Sequence, residues 1–268
     1  MAASLRFRAL LTTLIAGTAL FTGSFIPAAG SHGSAGHTTG ATATPAPEPS
    51  PAPVARWYGS AIRLIPGQGK VVALTFNAAW NTQGLDTILK VLRQQRAPAT
   101  FFLTGDFAQR HPEAVRAMSA AGHGIGNHSH SHPRFGELTP AERAGEITLA
   151  QSAIRRAGGA EPLPFFRFPY GDTTPEQIAE ANALGYADIE WTTDTNGYKG
   201  TAGGMSVDKA VERALDKLVP GEIIQMHVGS SSGQLPILDA EALPRIIDAV
   251  RSRGYRVTDL RTLLTEAG

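Results

Sequence analysis

The sequence predicts an α/β barrel of parallel strands, and three observations carry that prediction. Strand-like apolar runs alternate with amphipathic helical stretches along the chain, which implies a parallel sheet. The first run, VVALTF at residues 71–76, is apolar or Thr throughout, as a strand covered on both faces must be. About seven such runs over roughly 210 residues suit a barrel better than an open sheet.

In order, the strand candidates are residues 71–76, 100–103, a short one around Ile125, 165–168, 187–191, 223–226 and a last one around Val257. Between the first two, Leu85, Ile88, Leu89 and Leu92 follow the i, i+3, i+4, i+7 spacing of a single buried helical stripe. Thr139, Pro140 and Glu142 form a capping box, with Thr as N-cap, Pro at the first helical position and Glu at the third. Thr174, Pro175 and Gln177 repeat the arrangement, and Gly185 and Gly254 stand where helices should stop.

At 268 residues and 42% hydrophobic content the chain can bury a substantial core. Its formal net charge is +1 with Lys and Arg spread along it, so nothing resembles the concentrated basic patch that nucleic acid requires. Residues 1–30 place Arg6 and Arg8 before an uncharged run, then the small residues Ala28, Ala29 and Gly30. That order predicts a secretory signal peptide, hence a secreted or cell-wall-associated protein with no stable membrane insertion after cleavage. An uncleaved anchor is the alternative, weakened by the Thr and Gly content of the run. No cysteine is present, which excludes disulfides and a lipid on an N-terminal Cys. Residues 31–56, with PAPEPSPAP, have almost no large apolar side chains and predict a disordered linker in which His32 and His37 are incidental. Residues 57–268 then form one folded domain, expected to be a monomer.

Functional groups of parallel barrels gather at the C-terminal ends of the strands. Five such ends stand out: Asn77, the run NHSHSHP at 127–133, RFPYGD at 167–172, Asp194 in WTTDTNGY, and His227 in IIQMHVG. His128 and His132 are four apart, a spacing that puts both rings on one side of a helical or an extended chain, and neutral imidazole is a common ligand of zinc-like metals. His130 joins them only in an extended segment, and a solvated His-rich turn is the bland alternative. Arg167 between Phe166 and Phe168 is costly unless it meets a carboxylate or a ligand, or reaches solvent at the strand tip. His227 closes an apolar run either as a general acid near neutral pH or as a hydrogen-bonded core histidine.

Together these residues resemble the polysaccharide deacetylase family, also called the NodB homology domain or carbohydrate esterase family 4, over about residues 70–265. The resemblance implies a distorted (β/α) barrel of about seven parallel strands carrying five ordered motifs. In the first, TFDD, the leading Asp is the catalytic base and the second a metal ligand; here TFNA offers Asn77 and Ala78. The second is intact as HSHSHP, which implies His128 and His132 as metal ligands, and the third is intact as RFPYG, which implies Arg167 as the group orienting the base. The fourth, WxxDxxDW, survives as WTTDTNGY, with Trp191 and Asp194 matching and Gly197 and Tyr198 in place of Asp and Trp. The fifth, LxH, reads QMH, keeping His227 as the implied acid with Gln225 in place of a Leu lining the acetyl pocket.

The mechanism implied uses a divalent metal, zinc by expectation, that lowers the pKa of its water toward ~7. An Asp takes the water's proton and a His protonates the leaving amine. Asn77 cannot accept that proton, and Ala78 cannot hold a metal. Asp194, Glu190, Asp172 and Asp106 are the carboxylates that strand-end logic offers for the gap. Trp191, Tyr170, Gln225 and Tyr198 are the expected substrate-binding side chains. The expected function is removal of N-acetyl groups from a cell-envelope glycan, peptidoglycan or chitin-like, with altered catalysis and weak or absent metal occupancy. The rivals are a noncatalytic glycan-binding protein on the same fold and a metal-independent amidohydrolase relying on His227 and Arg167.

Overall fold

The computed structural model describes residues 53–158, 161–233 and 235–265. The chain divides into two units, Met1–Glu48 and Pro49–Gly268, and every element below belongs to the second. The predicted signal peptide and most of the predicted linker lie outside the described residues. The packed chain is already in place before position 57, because Val54 is buried in a 3-10 turn at Pro53–Trp57 and Arg56 donates 2.7 Å to the Leu263 carbonyl. No helix among the described residues is long and apolar enough to cross a membrane.

The strands are β1 (Val71–Ala78), β2 (Thr100–Leu103), β3 (Gly124–Asn127), β4 (Phe165–Phe166), β5 (Ala187–Asp188), β6 (Thr193–Asp194), β7 (Glu222–His227) and β8 (Arg256–Thr258). The helices are α1 (Leu85–Gln94), α2 (Gly105–Arg110), α3 (Pro112–Ala120), α4 (Pro140–Gly158), α5 (Pro175–Ala183), α6 (Val207–Leu215) and α7 (Leu238–Ser252). All paired strands are parallel, in the order β5-β4-β3-β2-β1-β7-β6. One edge of β1 is shared: β8 pairs with Val71, Val72 and Ala73, and β2 pairs with the stretch from Thr75 to Ala78.

The predicted strand at 187–191 is instead two short pieces. The stretch from 187 to 194 begins as β5 on the edge of β4 and ends as β6 on the edge of β7, so one run of chain bridges the gap between those strands. Thr192 N–H donates to the Ile223 carbonyl on the way across. Counting that run once gives seven strands, and the bridge is where the barrel is distorted. Below it, Ile62 pairs with Ile189 and Leu64 with Glu222, so the segment after the first turn lines the same gap.

Alternation along β1 separates two cores. Val71 and Ala73 meet Phe102, Phe165, Ala187 and Ile223, residues from strands that are not neighbours, which places this cluster inside the curl of the sheet. Val72, Leu74, Phe76 and Ala78 pack with Leu85, Ile88, Leu92, Ile246 and Ile247 under the helices. The inward row continues through Thr75 to Asn77 at the barrel mouth, and on β7 through Ile223 and Gln225 to His227. Both capping boxes form: Thr139 N–H donates 2.8 Å to Glu142, and Thr174 and Gln177 bond reciprocally. Gly185 and Gly254 adopt positive φ at helix ends as predicted.

Candidate active site

The ends of β1, β3, β4, β6 and β7 meet around a cleft of about 240 Å³. It is lined by Asn77, His128, His132, Tyr170, Trp191, Asp194, Tyr198, Gln225 and His227, with Trp80, Phe168 and Ser231 beside them. The fold therefore brings every sequence-predicted site residue except Arg167 to one surface. Arg167 lies directly beneath it.

Arg167 does not reach solvent. It is completely buried, and its guanidinium stacks on Phe102 with 4.0 Å to the ring centroid. Nε donates to the Ile189 carbonyl at 2.9 Å and Nη2 to the Glu190 carbonyl at 3.2 Å. Nη1 donates to Thr75 Oγ1 at 3.0 Å and to Asn77 Oδ1 at 2.9 Å. Burial pushes its pKa down to about 10, opposed by the neighbouring carboxylates of Glu190, Asp188 and Asp194. Asp188 and Glu190 are themselves buried and face each other, and desolvation raises both, Asp188 to about 8 with the adjacent Glu190 adding to the rise.

Asn77 is the first link of an amide chain across the floor of the cleft. Its Oδ1 accepts from Arg167, and its Nδ2 donates to Gln225 Oε1 at 3.2 Å. Gln225 Nε2 donates in turn to Asp194 Oδ2 at 3.0 Å, while Asp194 Oδ1 accepts from the Asn196 N–H at 2.8 Å. A cation and an anion are thus joined through two neutral amides, each oriented by the next. Of the four carboxylates considered for the gap, only Asp194 lines the cleft. Glu190 is buried behind Trp191, Asp172 is exposed beside Arg134, and Asp106 lies 3.5 Å from His130 on α2.

The HSHSHP segment is neither helical nor extended, because Ser129 and His132 take left-handed φ of 67° and 62°. Glu146 of α4 accepts from the N–H groups of His130 and Ser131 at 2.8 and 2.7 Å and holds the loop. His128 and His132 converge edge to face with 4.8 Å between ring centroids, whereas His130 turns away against Gly105 and Asp106. His128 Nδ1 donates to the Arg167 carbonyl at 2.8 Å, which fixes that proton on Nδ1 and leaves Nε2 a lone pair. Burial, reinforced by the neighbouring His132, holds His128 well below the ordinary imidazole range, and burial lowers His132 to about 4. Both rings are neutral at neutral pH, as ligands must be.

Two imidazoles alone do not complete a site for the divalent metal that the resemblance implies. The anionic ligand would fall at position 78, and Ala78 packs among the helix-facing core residues. Among the described residues no three His, Cys, Asp or Glu side chains converge in a way that could hold an ion. The donor set does not fit a resident metal, and no chemical step is assigned to one.

Sequence reasoning missed two groups. Trp80, 39% exposed, stands 6.0 Å from His132 and 6.3 Å from Tyr198, and completes an aromatic rim with Tyr170 and Trp191. Asp239, in the first turn of α7, is fully buried and accepts from the His227 backbone N–H at 2.8 Å. An exposed-looking aromatic just past a strand and an acid in a helical first turn are both ordinary, so no motif marked them.

The family model for polysaccharide deacetylase matches residues 65–189. A peptidoglycan-N-acetylglucosamine deacetylase of Bacillus cereus is 31% identical over 72% of this chain and 67% of its own length. A chitooligosaccharide deacetylase of Bradyrhizobium is 33% identical over 72% of this chain and 90% of its own. Among solved structures, a pseudoenzyme of carbohydrate esterase family 4 from Bacillus anthracis is 29% identical with a TM-score of 0.69, over 78% of this chain and 70% of that one. A mutant of that pseudoenzyme is described as having restored enzymatic activity. The shared barrel, the intact second and third motifs at its mouth and these likenesses lead to one assignment, that this chain belongs to the polysaccharide deacetylase family, carbohydrate esterase family 4, a family of carbon–nitrogen hydrolases that also includes a pseudoenzyme.

Proposed function

We propose that this chain takes N-acetylated cell-envelope glycan, peptidoglycan or a chitin-like polymer, into the barrel-mouth cleft and removes N-acetyl groups at a reduced rate. The observation that carries the reading is Asn77, an amide locked by Arg167 and Gln225 at the place where the chemistry needs a base. The names of the relatives support the substrate class, and the order of residues 1–30 supports export to the compartment where such glycans lie.

The residues divide the work as follows. Trp80, Tyr170, Trp191 and Tyr198 offer ring faces for the apolar sides of sugar units, with polar groups between them to fix orientation. His227 reaches the cleft and is placed to protonate a leaving amine. Asn77 can orient a water through its amide but cannot take its proton, and general-base help is worth about 10²- to 10⁴-fold. The same satisfied amide chain favours a second reading, a glycan-binding protein without turnover.

Purified protein incubated with N-acetylglucosamine oligomers, with and without chelator, separates these readings when acetate release and oligomer binding are both measured. Slow release that is lost in His227→Ala is the expected result. Binding without release from any form would sink the hydrolase, and release indifferent to chelator would favour the metal-free route.

A further inference from the structure

Gly197 stands where the family resemblance puts an acid, and the structure shows what occupies the space. A Cβ built on Gly197 would lie 2.2 Å from Asp239 Oδ1 and 2.4 Å from its Cγ, so the Asp239 carboxylate fills the volume that a side chain at 197 would need. Backbone conformation does not call for glycine here, since Gly197 is not among the residues with positive φ. Nor can the carboxylate swing away freely, because it is fully buried and its Oδ2 accepts from the His227 N–H at 2.8 Å.

That carboxylate faces His227. Imidazole Nδ1 lies 3.6 Å from Asp239 Oδ2, just beyond hydrogen-bond length, and both Nδ1 and Asp239 Oδ1 are buried with no other partner. Leaving a buried ring nitrogen unmatched is costly, and a proton on Nδ1 directed at the Asp239 carboxylate, whose Oδ2 is the oxygen that faces it, matches it. With Nδ1 protonated, Nε2 is the nitrogen left for the cleft.

We propose that Asp239 is the positioning residue for His227: a carboxylate supplied from α7 does the work that a side chain at 197 would otherwise do, and Gly197 is the space it requires. The proposal rests on His227 as the acid of the preceding section for its catalytic consequence, but not for the pairing itself. A carboxylate against Nδ1 holds the ring in one tautomer and orientation and stabilises the imidazolium that must form before a proton is given up.

The test reads the ring directly. In protein labelled with 15N-histidine, long-range proton–nitrogen correlation should show His227 with its proton on Nδ1. Asp239→Ala should lose that fixed signature. Asp239→Ser, whose hydroxyl can still accept from the His227 N–H, should lose it too, and it serves if the Ala form does not fold. Adding Gly197→Asp to the Asp239→Ala chain should restore it. Acetate release should fall by on the order of 10²-fold in the single variant with KM little changed, and recover in the double variant. An unchanged ring signature in Asp239→Ala or Asp239→Ser, or failure of the double variant to restore it, overturns the pairing. Equal turnover in wild type and Asp239→Ala overturns the positioning role. Absence of acetate from every form counts against the hydrolase reading, while the nitrogen spectrum still decides the pair.

Discussion

Arg167 is the residue on which most of the site leans. One guanidinium satisfies two backbone carbonyls, Thr75 and Asn77, and its charge offsets the buried Asp188 and Glu190. Replacing it with Met leaves these four buried acceptors unmatched, so unfolding in urea should show a loss of about 3–5 kcal/mol. A loss under ~1 kcal/mol would mean that the guanidinium is not the compensating group. The sequence made Arg167 conspicuous, since a charge between two Phe must have a partner, but it left open whether the partner was water. Asn77, His128, His132, Asp194 and His227 were legible for a similar reason: polar residues that end apolar runs stand out. Asp239 was not, because only its burial distinguishes it from any other acid near a helix start.

At the scale of elements, the histidine loop shows how a pattern can be read correctly for an incomplete reason. The four-residue spacing pointed to His128 and His132 on one side of a regular segment, yet their rings meet because two residues take left-handed φ and Glu146 ties down the intervening N–H groups. Nothing in a spacing rule names a residue on a later helix. Removing that tie in Glu146→Ala should cost about 1.5–3 kcal/mol, the worth of hydrogen bonds to a charged group. Amide exchange at residues 130–132 should speed up at the same time, and unchanged exchange there would contradict the assignment. Helix ends were more legible, since capping boxes and stop glycines are local chemistry. The split of the stretch after Ala187 into β5 and β6 was not, because it follows from where β4 and β7 end, and that is set by the whole sheet.

For the molecule as a whole, the buried carboxyls set a pH dependence of stability. Asp188 is raised from its ordinary 3.8 to about 8, so between those values the folded chain keeps a proton that the unfolded chain has lost. Its contribution is complete below about pH 4 and is lost as pH rises through about 8. Above about pH 7, where His128 and His132 are neutral in the folded and the unfolded chain alike, the urea midpoint should therefore fall toward about pH 8, and fall less in Asp188→Asn; equal slopes would contradict the burial argument. The barrel itself was legible from alternation, length and strand composition, whereas the amide chain joining Arg167 to Asp194 needs the register that sets Asn77 beside the β7 row. That chain also determines how the central claim is tested. Asn77→Asp would supply a base but set two acceptors face to face at Gln225, which must flip its amide and release Asp194; Gln225→Leu removes that conflict. Acetate release from N-acetylglucosamine oligomers should therefore rise in Asn77→Asp and rise further in the Asn77→Asp, Gln225→Leu double variant, by up to ~10²-fold over wild type. Wild-type turnover already equal to that of the double variant, or lowered by the new carboxylate, would contradict the claim that the missing base at position 77 limits turnover at this site.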